Sequence, residues 1–273
     1  VGTVLEAMAR GINAGMTAAR DCLPVEFDVL GYEPTPWTPV DSVAIWKWRW
    51  WMLTGRLDVL AQQEAIKRHL PAELVDLFLS IEASEETIVP SDEPAGVGGF
   101  DTGEGSNNWV VGGSRCTGGK PILATDPHNG VDLSRQWYQA QVTCPGIDAI
   151  GAFFLGTPGI YLGRTRQTAW GVTNHTASAR DLYIETVSTE RSDHYRQGES
   201  WQGFEVEVQT IPVRGAAADT LEIRRTTRGP LVNEFVAAMG DWEQPVLSLR
   251  WVGTEATTGF ESMLALSRSQ TVD

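Results

Sequence analysis

The residues best suited to chemistry stand together at one junction, Gly105-Ser106-Asn107-Asn108-Trp109. A serine hydroxyl is a weak nucleophile until a base takes its proton. A glycine before it, having no Cβ, tolerates a strained and closely approached peptide. Read only locally, Gly-Ser-Asn-Asn is a turn. His128 lies 128 − 106 = 22 residues further on, within Pro127-His128-Asn129, where a histidine can bond to backbone or serve a site. His69 ends the basic run Lys67-Arg68-His69 and reads as solvated. Asn174 and His175 follow a strand-like stretch, Ala169 to Thr173. The three cysteines, Cys22, Cys116 and Cys144, have no metal-ligand spacing, and their odd number rules out full intrachain pairing. One disulfide, Cys116 to Cys144, stays open.

The surrounding residues carry a resemblance. Ser106-Asn107-Asn108-Trp109-Val110-Val111 resembles the start of the mature β chain in the penicillin acylase family of N-terminal nucleophile hydrolases. Matching stretches follow in the family's order: Gly119 through His128, Pro145-Gly146, Gly156-Thr157-Pro158-Gly159, Ala169 through Asn174, Asp181 through Glu185, and Arg228-Gly229-Pro230. Upstream, Gly11-Ile12-Asn13, Leu23 through Phe27 and Pro36 through Asp41 resemble the end of the family's α chain.

That resemblance implies a self-activating amidohydrolase. Ser106 would attack the carbonyl of Gly105, and the freed α-amine of Ser106 would then serve as its own base. An α-amine of ordinary pKa, about 7.7–8.0, is substantially neutral at mildly alkaline pH. His128 matches a histidine that aligns the nucleophile in cephalosporin-acylase-like members. A backbone N–H of Asn174 or His175 would join the oxyanion hole, and the sequence does not separate the two. The family completes that hole with an asparagine well downstream, expected to lie outside this chain. No cofactor is required. Calcium is bound by some members, and Asp181 aligns with one of their ligands. However, Ser178 and Arg56 stand where such members carry carboxylates, and calcium needs six to eight oxygens. An Arg56–Asp181 ion pair is the more economical reading. Family substrates are linear amides, either β-lactam side chains or N-acyl homoserine lactones, and the family implies a periplasmic or secreted location. Besides a small-molecule amide, the partners implied are the remaining parts of the α and β chains.

The elements that must position these residues divide by texture. Val1, Val4, Leu5, Met8 and Ile12 recur at helical spacing. A second helix is expected after Pro39, capped by Asp41 or Ser42 and running from Ile45 to Leu60. A third begins at Pro71 with Leu74, Leu77 and Phe78. Trp37, Trp46, Trp48, Trp50 and Trp51 read as a helix buried on more than one face, or as a wall for an aromatic acyl group. Residues 82–105 hold seven acidic residues, no Lys or Arg, and many Pro and Gly, so they read as an exposed linker. Residues 1–81 would then be the helical end of an α chain, and 106–273 the start of a β chain.

From Ser106 the pattern is β. Trp109-Val110-Val111 and Ile122-Leu123-Ala124 flank a turn-rich stretch, which predicts a hairpin. Tyr138, Ala140 and Val142 alternate with Trp137, Gln139 and Gln141, and Phe204, Val206 and Val208 with glutamates, as half-buried antiparallel strands do. Leu221 and Ile223 alternate with Glu222 and Arg224 in the same way, and a final helix begins near Gly259. The fold class expected is therefore α+β, the αββα sandwich of the N-terminal nucleophile hydrolases in partial form.

Charge narrows the partners. With 21 basic and 35 acidic residues the formal charge is −14, which repels nucleic acid. No apolar run reaches the ~18 residues of a membrane span. Two rivals remain. One is a catalytically inactive small-molecule-binding homologue, and the other a carbohydrate-binding β-sandwich with solvent-exposed aromatics.

Overall fold

The computed structural model describes residues 1–53, 57–75, 105–128, 136–174, 179–234 and 245–272. Its helices are α1 (Gly2–Ala18), α2 (Val25–Leu30), α3 (Pro39–Leu53), α4 (Leu57–His69) and α5 (Gly259–Leu266). The strands are β1 (Gly105–Val111), β2 (Ile122–His128), β3 (Trp137–Cys144), β4 (Ile147–Phe154), β5 (Leu162–Arg164), β6 (Ala169–Trp170), β7 (Arg180–Glu185), β8 (His194–Gln197), β9 (Ser200–Gly203), β10 (Glu205–Ile211), β11 (Asp219–Arg225) and β12 (Val246–Trp251). All their pairings are antiparallel, so the chain is α+β. The acidic linker up to Glu104, Arg56 and Ser178 lie outside the described residues, as do Leu77 and Phe78. Residues 72–75, just after Pro71, are helical.

Two compact units emerge. The first comprises Val1–Leu53, Ala95–His175 and Ala256–Asp273. Its sheets are the β1–β2 hairpin and the four-stranded β3-β4-β5-β6. Leu5 of α1, Trp46 of α3, and Phe260 and Met263 of α5 form one core cluster; Ala149, Ile160 and Trp170 form another. Trp46 holds α3 in place, its ring 5.2 Å from Phe260 and 5.8 Å from Tyr161. Of the five tryptophans it alone is buried, while Trp48 faces solvent. Arg49, also buried, lies over the Phe154 and Trp137 rings and donates to Gln136 Oε1 at 3.0 Å, tying α3 to the start of β3. Burial pushes the Tyr161 phenol above its usual range, partly offset by Arg49.

The start of α3 differs from expectation. Thr38 takes the capping place, and Asp41 reaches back with Oδ2 to the N–H and hydroxyl of Thr38, both at 2.7 Å. These hydrogen bonds hold the Asp41 carboxyl below the usual carboxylate range. Ser42 is instead fully buried and accepts the Trp37 indole N–H at 3.0 Å. The expected helix to Leu60 is helical over Pro39–Leu53 (α3) and from Leu57 on (α4), and residues 54–56 lie outside the described residues. Helix α2 was not anticipated, although its signals are present: Pro24 just before it and Gly31, with φ 62°, just after it.

Asn13 of α1 joins two of the family-like stretches by accepting from the Trp37 N–H (2.7 Å) and donating to the Trp37 carbonyl (2.8 Å). Asn13→Ala strips partners from both backbone groups and is expected to cost about 1–3 kcal/mol. Denaturant unfolding would measure this, and a loss below about 0.5 kcal/mol would show that water replaces the side chain freely.

The second unit comprises Thr54–Pro94 and Thr176–Glu255, with three two-stranded pairings, β7–β12, β8–β9 and β10–β11. Two strand expectations need correction. Strand β10 is exposed along its whole length, Val206 and Val208 included, whereas in its partner β11 Leu221 and Ile223 are half-buried. In β3 of the first unit, Tyr138 faces solvent while Trp137 packs inward on Phe154 and Tyr161. All three cysteines are free thiols, so no Cys116–Cys144 bridge forms.

Candidate active site

The hairpin register decides which side chains meet around Ser106. Gly105 pairs with His128, Ser106 with Pro127, Asn107 with Asp126 and Asn108 with Thr125. Directly opposed residues share a face, and successive residues alternate. Ser106, Asn108 and Val110 therefore lie on one face with Leu123, Thr125 and Pro127. Asn107 and Trp109 lie on the other with Ala124, Asp126 and His128.

His128 is accordingly brought opposite Gly105, one residue and one face away from the Ser106 side chain. Its Nε2 lies 3.0 Å from Asp126 Oδ2 and 3.4 Å from Asn107 Nδ2. The Asp126 contact favours the tautomer with the proton on Nε2. This pair is solvent-exposed and adds little to stability.

The Ser106 face is covered by the stretch after β6. Gly171 must be glycine there: a Cβ would come within 2.7 Å of Asn108 Oδ1 and of Thr125 Cβ. The Val172 N–H donates to Thr125 Oγ1 at 3.3 Å. Thr173 Oγ1 donates to the Ser106 carbonyl at 2.9 Å, and Asn174 Nδ2 to the Leu53 carbonyl at the end of α3, at 2.8 Å. The Asn174 side chain is thus engaged with α3, which leaves its backbone N–H as the group to weigh for an oxyanion. His175 lies outside the described residues.

Beside this face is a cavity of about 640 Å³, lined by Leu123 and Thr125 from the hairpin and by Gln139, Ile150, Leu162 and Trp170 from the four-stranded sheet. Gln139, Ala140 and Gln141 of β3 all line this cavity. Sequence reasoning passed over Thr173. The reason for its place emerges only with the register, which sets Ser106 opposite Pro127, a residue with no N–H to donate.

Asp181 is the second residue of β7 in the other unit and accepts the Leu182 N–H at 3.0 Å. Among the described residues no three His, Cys, Asp or Glu side chains group as a metal site.

A penicillin amidase family profile matches residues 2–273. The acyl-homoserine lactone acylase QuiP of Pseudomonas aeruginosa is 26% identical over 303 residues, covering 98% of this chain and 35% of that protein. The penicillin acylase 2 proenzyme of Pseudomonas sp. (strain SE83) is 30% identical over 295 residues, covering 98% and 37%. Penicillin G acylase of Escherichia coli is 22% identical over 302 residues, covering 84% and 36%. The chain thus spans 35–37% of the length of these relatives. One solved structure, a thermostable penicillin G acylase from Alcaligenes faecalis, gives a TM-score of 0.43 at 24% identity over 51% of this chain and 24% of that one, too partial a likeness to decide the layer order.

Proposed function

The chain belongs to the penicillin amidase family, and from that membership we propose that it carries the nucleophile of a linear-amide hydrolase within an αββα sandwich. The observation that carries the reading is the placement of Ser106. It follows Gly105 at the start of a strand, its carbonyl is held by Thr173, and its face borders a largely apolar cavity suited to an acyl group.

In the first step Ser106 Oγ attacks the Gly105 carbonyl, giving an ester that water hydrolyses to a Gly105 carboxylate and a free Ser106 amine. In the second, that amine takes the hydroxyl proton while Oγ attacks a substrate amide, and then passes the proton to the leaving amine. Water next attacks the acyl ester and releases a carboxylic acid. The backbone N–H of Asn174 or His175 stabilises the developing oxyanion. His128, opposite Gly105, aligns the chain at the bond that breaks. Neither step needs a cofactor, because Ser106 supplies both nucleophile and base. The substrates proposed are the amides named for the relatives, β-lactam side chains or N-acyl homoserine lactones, met in a periplasmic or secreted setting.

Intact mass of the wild-type protein with phenylmethylsulfonyl fluoride tests the proposal. Two pieces divided between Gly105 and Ser106, the second carrying one sulfonyl adduct, are expected. A whole, unlabelled chain would make the protein a binding homologue instead. The base identity has its own check. Activity should rise with pH through one ionisation at an apparent pKa of about 8, because the protonated amine cannot accept the hydroxyl proton. A rate independent of pH from about 6 to 9 would remove the amine from the mechanism.

A further inference from the structure

Breaking the Gly105–Ser106 bond creates a difficulty for the residue it activates. Ser106 loses its covalent restraint on the amino side, and terminal residues open at little free-energy cost. Yet its hydroxyl and amine must both keep a reactive geometry. The strand partner offers limited help, since the register sets Ser106 against Pro127, which has no N–H to donate.

Thr173 supplies a donor that proline lacks. Its hydroxyl reaches the Ser106 carbonyl at 2.9 Å, across 67 residues of sequence. Thr173 is itself fixed on both sides, with Val172 bonded to Thr125 Oγ1 and Asn174 bonded to the last residue of α3, Leu53. Two hydrogen bonds, joined through the Thr173–Asn174 backbone, therefore link the end of α3 to the Ser106 backbone.

Resting on the proposed function, we infer that Thr173 is a positioning residue of the reaction: its hydroxyl clamps the Ser106 carbonyl so that the new chain start stays in place. It acts through Ser106, and a valine of nearly the same shape removes only the donor.

The test compares full-length wild type, Thr173→Val and Thr173→Ser. Labelling by phenylmethylsulfonyl fluoride is followed against reagent concentration, which separates the maximal rate from the half-saturating concentration. Thr173→Val should lower the maximal rate about five- to tenfold, the size of one hydrogen bond, with the half-saturating concentration within about twofold of wild type. Thr173→Ser should restore the rate to within about twofold. A Thr173→Val chain that stays whole while Thr173→Ser divides also supports the clamp, acting one step earlier. Thr173→Val indistinguishable from wild type overturns the inference, as does Thr173→Ser as impaired as Thr173→Val, which would assign the effect to methyl packing. A wild type neither cut nor labelled overturns the proposed function and this inference with it. A reactive wild type with an unaffected Thr173→Val overturns the inference alone.

Discussion

Ser106→Ala is expected to leave the chain whole and to lower amide hydrolysis by at least about four orders of magnitude. Two losses coincide in that one substitution. In the proposed mechanism the Gly105 carbonyl is not attacked without the hydroxyl, so the α-amine base never forms. Without the hydroxyl there is also no atom to carry the acyl group. The fold should survive, because the Ser106 contacts given by the hairpin register and by Thr173 are made through backbone atoms that alanine keeps. Intact mass, sulfonyl labelling and hydrolysis of a panel of acyl amides would be measured together. A variant that still divides after Gly105, or keeps more than about a hundredth of wild-type activity, would remove Ser106 from the mechanism.

The second large effect concerns stability rather than chemistry. In the unit containing β7 and β12, the Glu185 carboxylate is almost completely buried. Its Oε1 accepts from Ser248 Oγ at 2.6 Å and Thr226 Oγ1 at 3.0 Å, and its Oε2 pairs with Arg228 at 2.8 Å. Together these bonds hold the turn from Thr226 to Gly229 against β7 and β12. That turn is demanding: Gly229 has φ +153°, and a Cβ there would sit 1.9 Å from the Leu249 carbonyl oxygen.

Glu185→Ala removes the common acceptor and strands two hydroxyls and a guanidinium. Breaking a buried pair costs about 3–5 kcal/mol. The lower end applies here, about 3 kcal/mol, because the Arg228 side chain is 33% exposed and partly screened. Glu185→Gln keeps one acceptor oxygen and should lose roughly half as much. Denaturant unfolding of both variants measures the difference. Equal losses for the two would mean that packing, and not the shared acceptor, holds the turn.

Helices α1 and α5 were legible because each buries one stripe at helical spacing, Leu5 in the first and Phe260 with Met263 in the second. The hairpin was legible from two β-rich runs around a glycine-rich turn. What a local pattern could not reveal is which of two apolar faces finds a partner. Alternation of Val206 and Val208 with glutamates predicted half-burial, but both stay exposed in β10. In β3 Tyr138 turned to solvent while Trp137, expected on the wet face, packed inward on Phe154 and Tyr161. The cap of α3 went to Thr38 because Asp41 sits one turn in, at the right reach for the Thr38 N–H.

At the candidate site, the sequence alone determined the chemical parts: a serine behind a glycine, a histidine 22 residues on, and the order of stretches that marks the family. Covalent order is enough for that, since in the proposed mechanism the nucleophile carries its own base and needs only to become a chain start. Tertiary structure alone decided the arrangement. The register placed His128 opposite Gly105 with Asp126 and Asn107 for company, and the stretch after β6 delivered Thr173 to the Ser106 carbonyl. The physical reason is that strand pairing has a period of two, so a shift of one residue exchanges the faces. Which side chains share a face with Ser106 is therefore set by a register that packing selects and no local pattern encodes.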